Sequence, residues 1–394
     1  MAHLRLAIVT PRFWPHVGDG PAHLLRLAES LLAAGHAVTV VTPQWKRSWP
    51  AQMMIGPVPL VRLHGRAHGG WGRLRWMFGL ANYLHTLAAS GLDGVLVAGL
   101  KHEAFVALGA ERRTRTPTLL IAEEDDPGWE RTAALGGRIA ARCRESRAIV
   151  APSSELAIEL CQAGYLADRI TVVPRRVSIP PPQSPKSRDD ARAAVAAANY
   201  DLMTTANTQV ALAVGRLDVA HCFGDLVRAW RIVTARRPEA RLWIVGDGPD
   251  RERLYQQIGD LDQRFRVLLP GTFDCFDELL QASDMLVVPG SHRTAPLAML
   301  EAQAAGLAVI AADTSALHAH VVPGQTGVLY PPGDFKALAA AVVELIEQPS
   351  AAVAFGAAAR QAAQADPSPD SEAAAYVALI ERLRRSANSP GQKR

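Results

Sequence analysis

Leu4-Arg5-Leu6-Ala7-Ile8-Val9-Thr10 is a short apolar run rich in strand formers, and Pro15-His16-Val17-Gly18-Asp19-Gly20-Pro21 follows it as a loop. A helical pattern from Ala22 to Ala34 stops at Gly35, and Val38 to Thr42 repeats the character of the first run. Strand, loop, helix and strand in that order form a βαβ unit, whose strands run parallel because a crossover joins them. Further runs at 94–98, 118–122, 148–151 and 170–173 extend the pattern. One parallel sheet is therefore expected in the first half.

Around Ser178 to Ser187 the sequence becomes Ser-Ile-Pro-Pro-Pro-Gln-Ser-Pro-Lys-Ser, a stretch too rich in proline to be read as helix or strand. New runs at 209–214, 241–245, 266–269, 285–288 and 308–311 then alternate with helical segments, and an alanine-rich helix closes the chain. The boundaries expected are 1–180 for a first Rossmann-like domain, 181–206 for a linker, 207–368 for a second Rossmann-like domain, and 369–388 for a final helix packing back on the first domain.

The 394 residues exceed what one core usually serves. Residues 1–178 hold 21 of the 42 Lys/Arg but only 14 of the 38 Asp/Glu, so the first half is the basic one. Those charges are spread through ordinary helices without an arginine-rich arm, so no nucleic-acid partner is expected. An anionic bilayer or a phosphorylated ligand would draw on the same charge. Arg5 and Arg12 interrupt any secretory signal and no run reaches transmembrane length, which leads to the expectation of a cytoplasmic protein. Cys143, Cys161, Cys222 and Cys275 are scattered and are expected to be reduced, mostly packing residues.

Several strand ends carry candidate chemistry. The loop containing His16, Gly18 and Gly20 offers backbone amides and a helix start to a phosphate or a sugar. The bland alternative is a glycine turn closing a βα unit. Val214-Gly215-Arg216-Leu217 carries a fixed cation out of a strand, at the end that faces the ligand crevice in open sheets. Gly246-Asp247-Gly248-Pro249, Pro270-Gly271-Thr272-Phe273 and Pro289-Gly290-Ser291 each follow an expected strand, and Leu300-Glu301-Ala302 follows in turn.

This ordered set resembles the retaining, metal-independent glycosyltransferases of the GT-B fold, family 4. The resemblance covers nearly the whole chain and is most specific in the second half. It implies an α/β fold of two Rossmann-like domains facing each other across a cleft, with acceptor binding on the first and a nucleotide-sugar donor on the second. It implies no cofactor or metal, the nucleotide sugar being a co-substrate, and a glycan or lipid-linked acceptor. In that family an arginine and a lysine hold the donor diphosphate, and the arginine matches Arg216. Of two glutamates eight positions apart, the second matches Glu301 and would meet the ribose. Backbone near Phe273 would meet the base and Leu297 would line the phosphates. Gly18 to Gly20, with His16, would approach donor and acceptor from the other domain, while Gly246 and Ser291 lie in the same strand-end loops as the donor residues.

The sequence departs from the family pattern in this region. His221 stands at the lysine position and Arg293 at that of the first glutamate, with Thr294-Ala295-Pro296 in place of a Gly-Phe-Gly turn. Arginine donates hydrogen bonds and cannot accept them. Two readings follow: an active transferase in which Arg216, His221 and Arg293 surround the phosphates or an acidic sugar, and a catalytically impaired homologue serving as a nucleotide-sugar-binding or partner subunit.

Three other features are weighed. Glu123-Glu124-Asp125-Asp126 reads as a solvated acidic loop rather than a metal site, and His318 and His320 are too few for zinc. No Gly-x-Gly-x-x-Gly fingerprint follows a strand with an acidic residue at the expected distance, which weakens a nicotinamide-dependent dehydrogenase reading. His64 to Phe78 interleaves cations with large aromatics, which suits peripheral contact with an anionic membrane at its inner face, or a loop leading into a helix whose aromatics are core.

Overall fold

A computed structural model describes residues 3–388 except 17, 67–68, 125, 132–134, 274–275, 291–295 and 366–367. The chain divides into two compact units, one of Met1–His16, Gly20–Arg176 and Pro367–Arg394, the other of Val17–Asp19 and Val177–Asp366.

The first unit holds β1 (Arg5–Val9), β2 (Ala37–Gln44), β3 (Gln52–Ile55), β4 (Val58–His64), β5 (Gly94–Ala98), β6 (Thr118–Ile121), β7 (Ile149–Ala151) and β8 (Ile170–Val172) in one sheet of order β3-β4-β2-β1-β5-β6-β7-β8. Its helices are α1 (Asp19–Ala33), α2 (Gly70–Ala89), α3 (His102–Thr114), α4 (Gly136–Arg144) and α5 (Ser154–Gln162). Helix α1 buries Leu24, Leu27, Ala28 and Leu31 along one face, the spacing that produces an amphipathic helix.

The sheet is not wholly parallel. β3 pairs antiparallel with β4, with Ile55 opposite Val58 across Gly56-Pro57. A two-residue connection permits only that direction. The acidic loop is also not simply solvated: Asp126 is buried, its Oδ1 accepts from the Leu100 amide at 2.9 Å, and its Oδ2 accepts from the Glu123 amide at 2.7 Å. Lys101 Nζ lies 3.7 Å from the same carboxylate. Asp125 lies outside the described residues.

The second unit holds α6 (Pro185–Ala198), β9 (Val210–Val214), α7 (Phe223–Arg236), β10 (Arg241–Val245), α8 (Arg251–Asp260), β11 (Val267–Gly271), α9 (Asp277–Ala282), β12 (Met285–Val288), α10 (Leu297–Ala305), β13 (Ala308–Ala312), α11 (Ser315–His318), β14 (Gly327–Tyr330), α12 (Phe335–Glu347) and α13 (Pro349–Ala365). Its parallel sheet runs β11-β10-β9-β12-β13-β14. In both sheets the first strand of the unit is central and its neighbours lead away in opposite directions, so β1/β5 and β9/β12 are the topological switch points where α/β sheets take ligands.

The segment 181–206 is not the linker that its prolines suggest. Pro185 occupies the first turn of α6, where its missing N–H costs nothing, and Ser184 with Ser187 forms a capping box. Ala191 and Val195 join the second unit's core, and Arg188 and Arg192 reach the two oxygens of Asp284 at 2.7 and 3.0 Å. Asp284 also accepts the first amide of β9, from Val210, at 2.8 Å.

The last helix, α14 (Pro369–Asn388), belongs to the first unit and puts Tyr376, Val377, Ile380 and Leu383 into its core. Glu372 fastens it: Oε1 lies 2.6 Å from His23 Nε2 on α1, and Oε2 accepts the Arg176 amide at 2.8 Å. Of the described cysteines, only Cys143 is packed inside: burial, reinforced by the Asp126 charge, pushes its thiol up to about 12. Cys161 is exposed and Cys222 half-buried. Cys275 lies outside the described residues.

Removing a buried carboxylate strands its partners, at about 2 to 3 kcal/mol. Glu372→Ala is therefore expected to lower the unfolding midpoint of the first unit by several degrees, whereas Glu381→Ala on the same helix leaves it near the wild-type value. Differential scanning calorimetry of the full chain checks this.

Candidate functional site

The loops after β9, β10 and β12 meet at the switch point of the second sheet, and glycine is what lets them meet. A Cβ on Gly246, whose φ is +149°, would stand 1.9 Å from the Gly215 carbonyl oxygen. A Cβ on Gly248 would stand 2.2 Å from the Leu217 oxygen. The Leu217 amide donates to the Asp247 carbonyl at 3.1 Å, and the Asp250 amide donates to that of Leu217 at 2.9 Å. Gly290, after β12, lies against the backbone of His221, and Tyr330 at the end of β14 holds this loop by donating its hydroxyl to the Pro289 carbonyl at 3.0 Å.

The loop after β9 carries Arg216, Asp218 and His221 as one unit. Asp218 Oδ2 lies 3.3 Å from Arg216 Nε, and Asp218 Oδ1 lies 2.6 Å from His221 Nδ1. Burial alone would push the Asp218 carboxyl up, but hydrogen bonds from His221 and the charges of His221 and Arg216 hold it below the ordinary carboxylate value. An ionised carboxylate only accepts, so Nδ1 carries the proton it shares and Nε2 is the imidazole's other edge. His221 also stacks on Phe223, with ring centroids 6.2 Å apart and planes 11° from parallel. Arg216 is half-exposed, with a single ion pair among the described residues, through Nε.

Sequence reasoning singled out Arg216, His221 and Gly246, and the structure brings these three together. Asp218, which links Arg216 to the His221 ring, was not among the expected residues; its spacing of three from His221 at the entry to a short turn is the signal that marks it. Tyr330 carried no local signal. Phe273 follows β11 and packs its ring against the second unit's core. Leu297, the first residue of α10, is buried, and Glu301 lies one turn further on, half-buried. Arg293 and Ser291 lie outside the described residues. His16 and Gly18 sit in the loop between β1 and α1, and Gly20, expected in that loop, is the second residue of α1 and faces Glu123: a Cβ there would lie 3.2 Å from Glu123 Oε1. His318 pairs with Asp313 at 2.9 Å.

Near Gly65 the basic-aromatic segment divides its side chains. Trp76 is buried and its indole N–H donates to Glu103 Oε1 at 2.9 Å, while Trp71 is 89% and Phe78 70% exposed on the opposite face of α2, with Leu74 and Arg75. Ala67 and His68 lie outside the described residues. No single helix among the described residues is long and apolar enough to cross a membrane.

Two Rossmann-like domains built on mainly parallel sheets match the GT-B fold. The family description "Glycosyltransferase Family 4" matches residues 21–179, and "Glycosyl transferases group 1" matches residues 208–348. The lipopolysaccharide core biosynthesis glycosyltransferase LpsE of Rhizobium meliloti is 29% identical over 39% of this chain, a match spanning 44% of that relative's own length. The chain thus spans less than half of that relative. A GDP-mannose-dependent alpha-mannosyltransferase of Mycolicibacterium smegmatis is 28% identical over 88% of this chain and 89% of its own. The sucrose-phosphate synthase of Thermosynechococcus elongatus superposes over 97% of this chain and 100% of its own with a TM-score of 0.78 at 21% identity, a likeness of fold. The chain belongs to the group 1, family 4 glycosyltransferases.

Gly246→Ala forces a methyl group into the Gly215 carbonyl and a side chain onto positive φ, and is expected to cost about 3 kcal/mol. Gly324→Ala, in a loop where a Cβ meets nothing within 4 Å, also has positive φ and serves as the backbone-only control with a smaller loss. Urea unfolding of both variants separates steric clash from backbone strain.

Proposed function

We propose that this chain transfers a sugar from a nucleotide-sugar donor to a glycan or lipid-linked acceptor, with retention of anomeric configuration and without a metal ion. The observation that carries the proposal is the Arg216-Asp218-His221 unit at the second switch point. When the bond between anomeric carbon and diphosphate breaks, negative charge gathers on the leaving oxygens, and fixed cations aimed at that position lower the barrier. Arg216 supplies a permanent charge. His221, oriented by Asp218 and Phe223, supplies the second donor where the family has lysine. The acceptor hydroxyl forms the new bond to the anomeric carbon on the face the diphosphate leaves, and its proton passes to the departing phosphate, so no protein base is needed. Glu301 is assigned to the ribose hydroxyls and Arg293 to an additional phosphate or an acidic sugar. The names of the Rhizobium and Mycolicibacterium relatives support the reaction class.

Asp218 also has an electrostatic role before donor arrives. One oxygen faces the Arg216 guanidinium and offsets its charge, and the other accepts from His221 Nδ1 and fixes the imidazole. Its carboxyl is depressed, so its contribution is complete above about pH 4, the ordinary carboxylate range, and is lost as pH falls through the folded-state value.

The exposed face of α2 is assigned to peripheral contact with an anionic bilayer, where Trp71, Leu74 and Phe78 would enter the headgroup boundary and Arg75 would meet phosphate.

A thermal-shift and hydrolysis screen of UDP-, GDP- and ADP-sugars in the presence of EDTA tests the donor site. Binding with slow nucleotide release is expected, abolished in Arg216→Ala, weakened about tenfold in His221→Ala, equivalent to about 1.4 kcal/mol, and retained in His221→Lys. Binding without turnover on any acceptor would assign the chain to nucleotide-sugar binding alone. No binding of any nucleotide would remove the donor assignment. Separately, flotation with phosphatidylglycerol vesicles is expected to carry the wild type and to leave the Trp71→Ser/Phe78→Ser double variant behind; equal flotation of both would remove the membrane assignment.

A further inference from the structure

The ends of β1 and β2 carry an aromatic group that the donor chemistry does not use. Trp14 and His16 come from the loop after β1, and Trp45 and Trp49 from the segment after β2. His16 meets Trp45 and Trp49 edge-on, with centroids 5.1 and 5.6 Å apart. The Trp45 indole N–H donates to the Pro11 carbonyl at 3.0 Å, and the Gln44 amide donates to that of Trp49 at 2.7 Å, so both loops are held to one geometry.

Beneath them lies Arg62 of β4, 3% exposed. Its guanidinium stands 5.8 Å from the Trp14 ring centroid and 5.3 Å from that of Trp49. It donates to the Pro50 and Trp14 carbonyls, both at 2.9 Å. Among the described residues no carboxylate pairs with it, and burial pulls its pKa down. A buried cation held by two loop carbonyls and two indoles, with its Nε unpartnered, is an expensive way to fill a core. What it achieves is to hold Trp14 and Trp49 in place ahead of any ligand. Trp14 nevertheless keeps 40% of its surface exposed, and Lys46 stands 5.6 Å from the Trp49 ring at the rim.

We infer that Trp14 and Trp49, fixed from below by Arg62, form the subsite that receives a pyranose ring of the acceptor glycan. A rigid indole offers flat apolar area at small entropic cost. A pyranose presents one face of C–H bonds and a rim of hydroxyls, so it covers an indole while its rim reaches the exposed Lys46 ammonium. An acyl chain would use the flat face but would offer the Lys46 ammonium at the rim no hydrogen-bond acceptor. The position agrees with the chemistry, because both loops leave carboxyl ends of strands beside the switch point of the first sheet. This inference rests on the transferase reading and adds to it that the acceptor is recognised by a sugar ring.

The test uses the full chain on an array of immobilised neutral and acidic oligosaccharides, with nucleoside diphosphate binding measured by thermal shift on the same preparations. Trp14→Ala is expected to lower glycan binding at least about tenfold while nucleotide binding stays at the wild-type value; Trp14→Tyr, which keeps a flat ring beside Arg62, is expected to recover most of the glycan binding. For any glycan that binds, the wild type is also expected to show a change in tryptophan emission that Trp14→Ala reduces. Unchanged glycan binding in Trp14→Ala overturns the inference, as does a wild type that binds nucleotide but no glycan. A wild type that binds glycan but no nucleotide supports the subsite and instead sinks the donor assignment.

Discussion

The carbonyl oxygen of Gly215 occupies the space a side chain at Gly246 would need, and the second unit's site depends on that close approach. With the backbones of the β9 and β10 loops in contact, Leu217 exchanges hydrogen bonds with Asp247 and Asp250, and the loop carrying Arg216 and His221 has little freedom left. Glycines at these positions are therefore steric requirements of the site. A flexible loop could carry the same cations, but it would have to be ordered each time a donor bound, and that entropy would be lost from the binding energy.

On this frame the electrostatics are local. Arg216 and His221 lie on one short turn, and Asp218 stands between them with one oxygen toward each. The His221 imidazole is thus oriented by a carboxylate and by the stacked phenyl ring of Phe223. A lysine needs neither, since its ammonium can turn toward a phosphate from many directions.

The first unit uses polar anchors differently. Glu372, Asp126 and Arg62 are each buried or nearly so, and each satisfies backbone groups of a loop or chain crossing. Glu372 secures the returning helix, Asp126 shapes the loops after β5 and β6, and Arg62 sets the tryptophan loops. In all three the cost of burying the group is offset in part by hydrogen bonds to backbone groups that would otherwise be unpaired.

Read along the chain, alternating apolar runs and helical segments determined two parallel-sheet units, and the ordered turns at Gly215, Gly246, Gly271 and Gly290 determined the family and the loop that bears its cations. Those signals are local: period, turn chemistry and spacing are all read from neighbours. The antiparallel β3 escaped because four residues before Gly56-Pro57 are too few to show a period. The helix at Pro185 escaped because proline breaks helices everywhere except in the first turn, where a cap from Ser184 makes it welcome. Asp284 ties two arginines of α6 to the sheet, and the tryptophans at 14, 45 and 49 read as unrelated until Arg62 brings two of them together. These belong to the tertiary structure alone, because what each residue does is decided by a partner dozens of positions away, and no local pattern records which distant group will stand beside it.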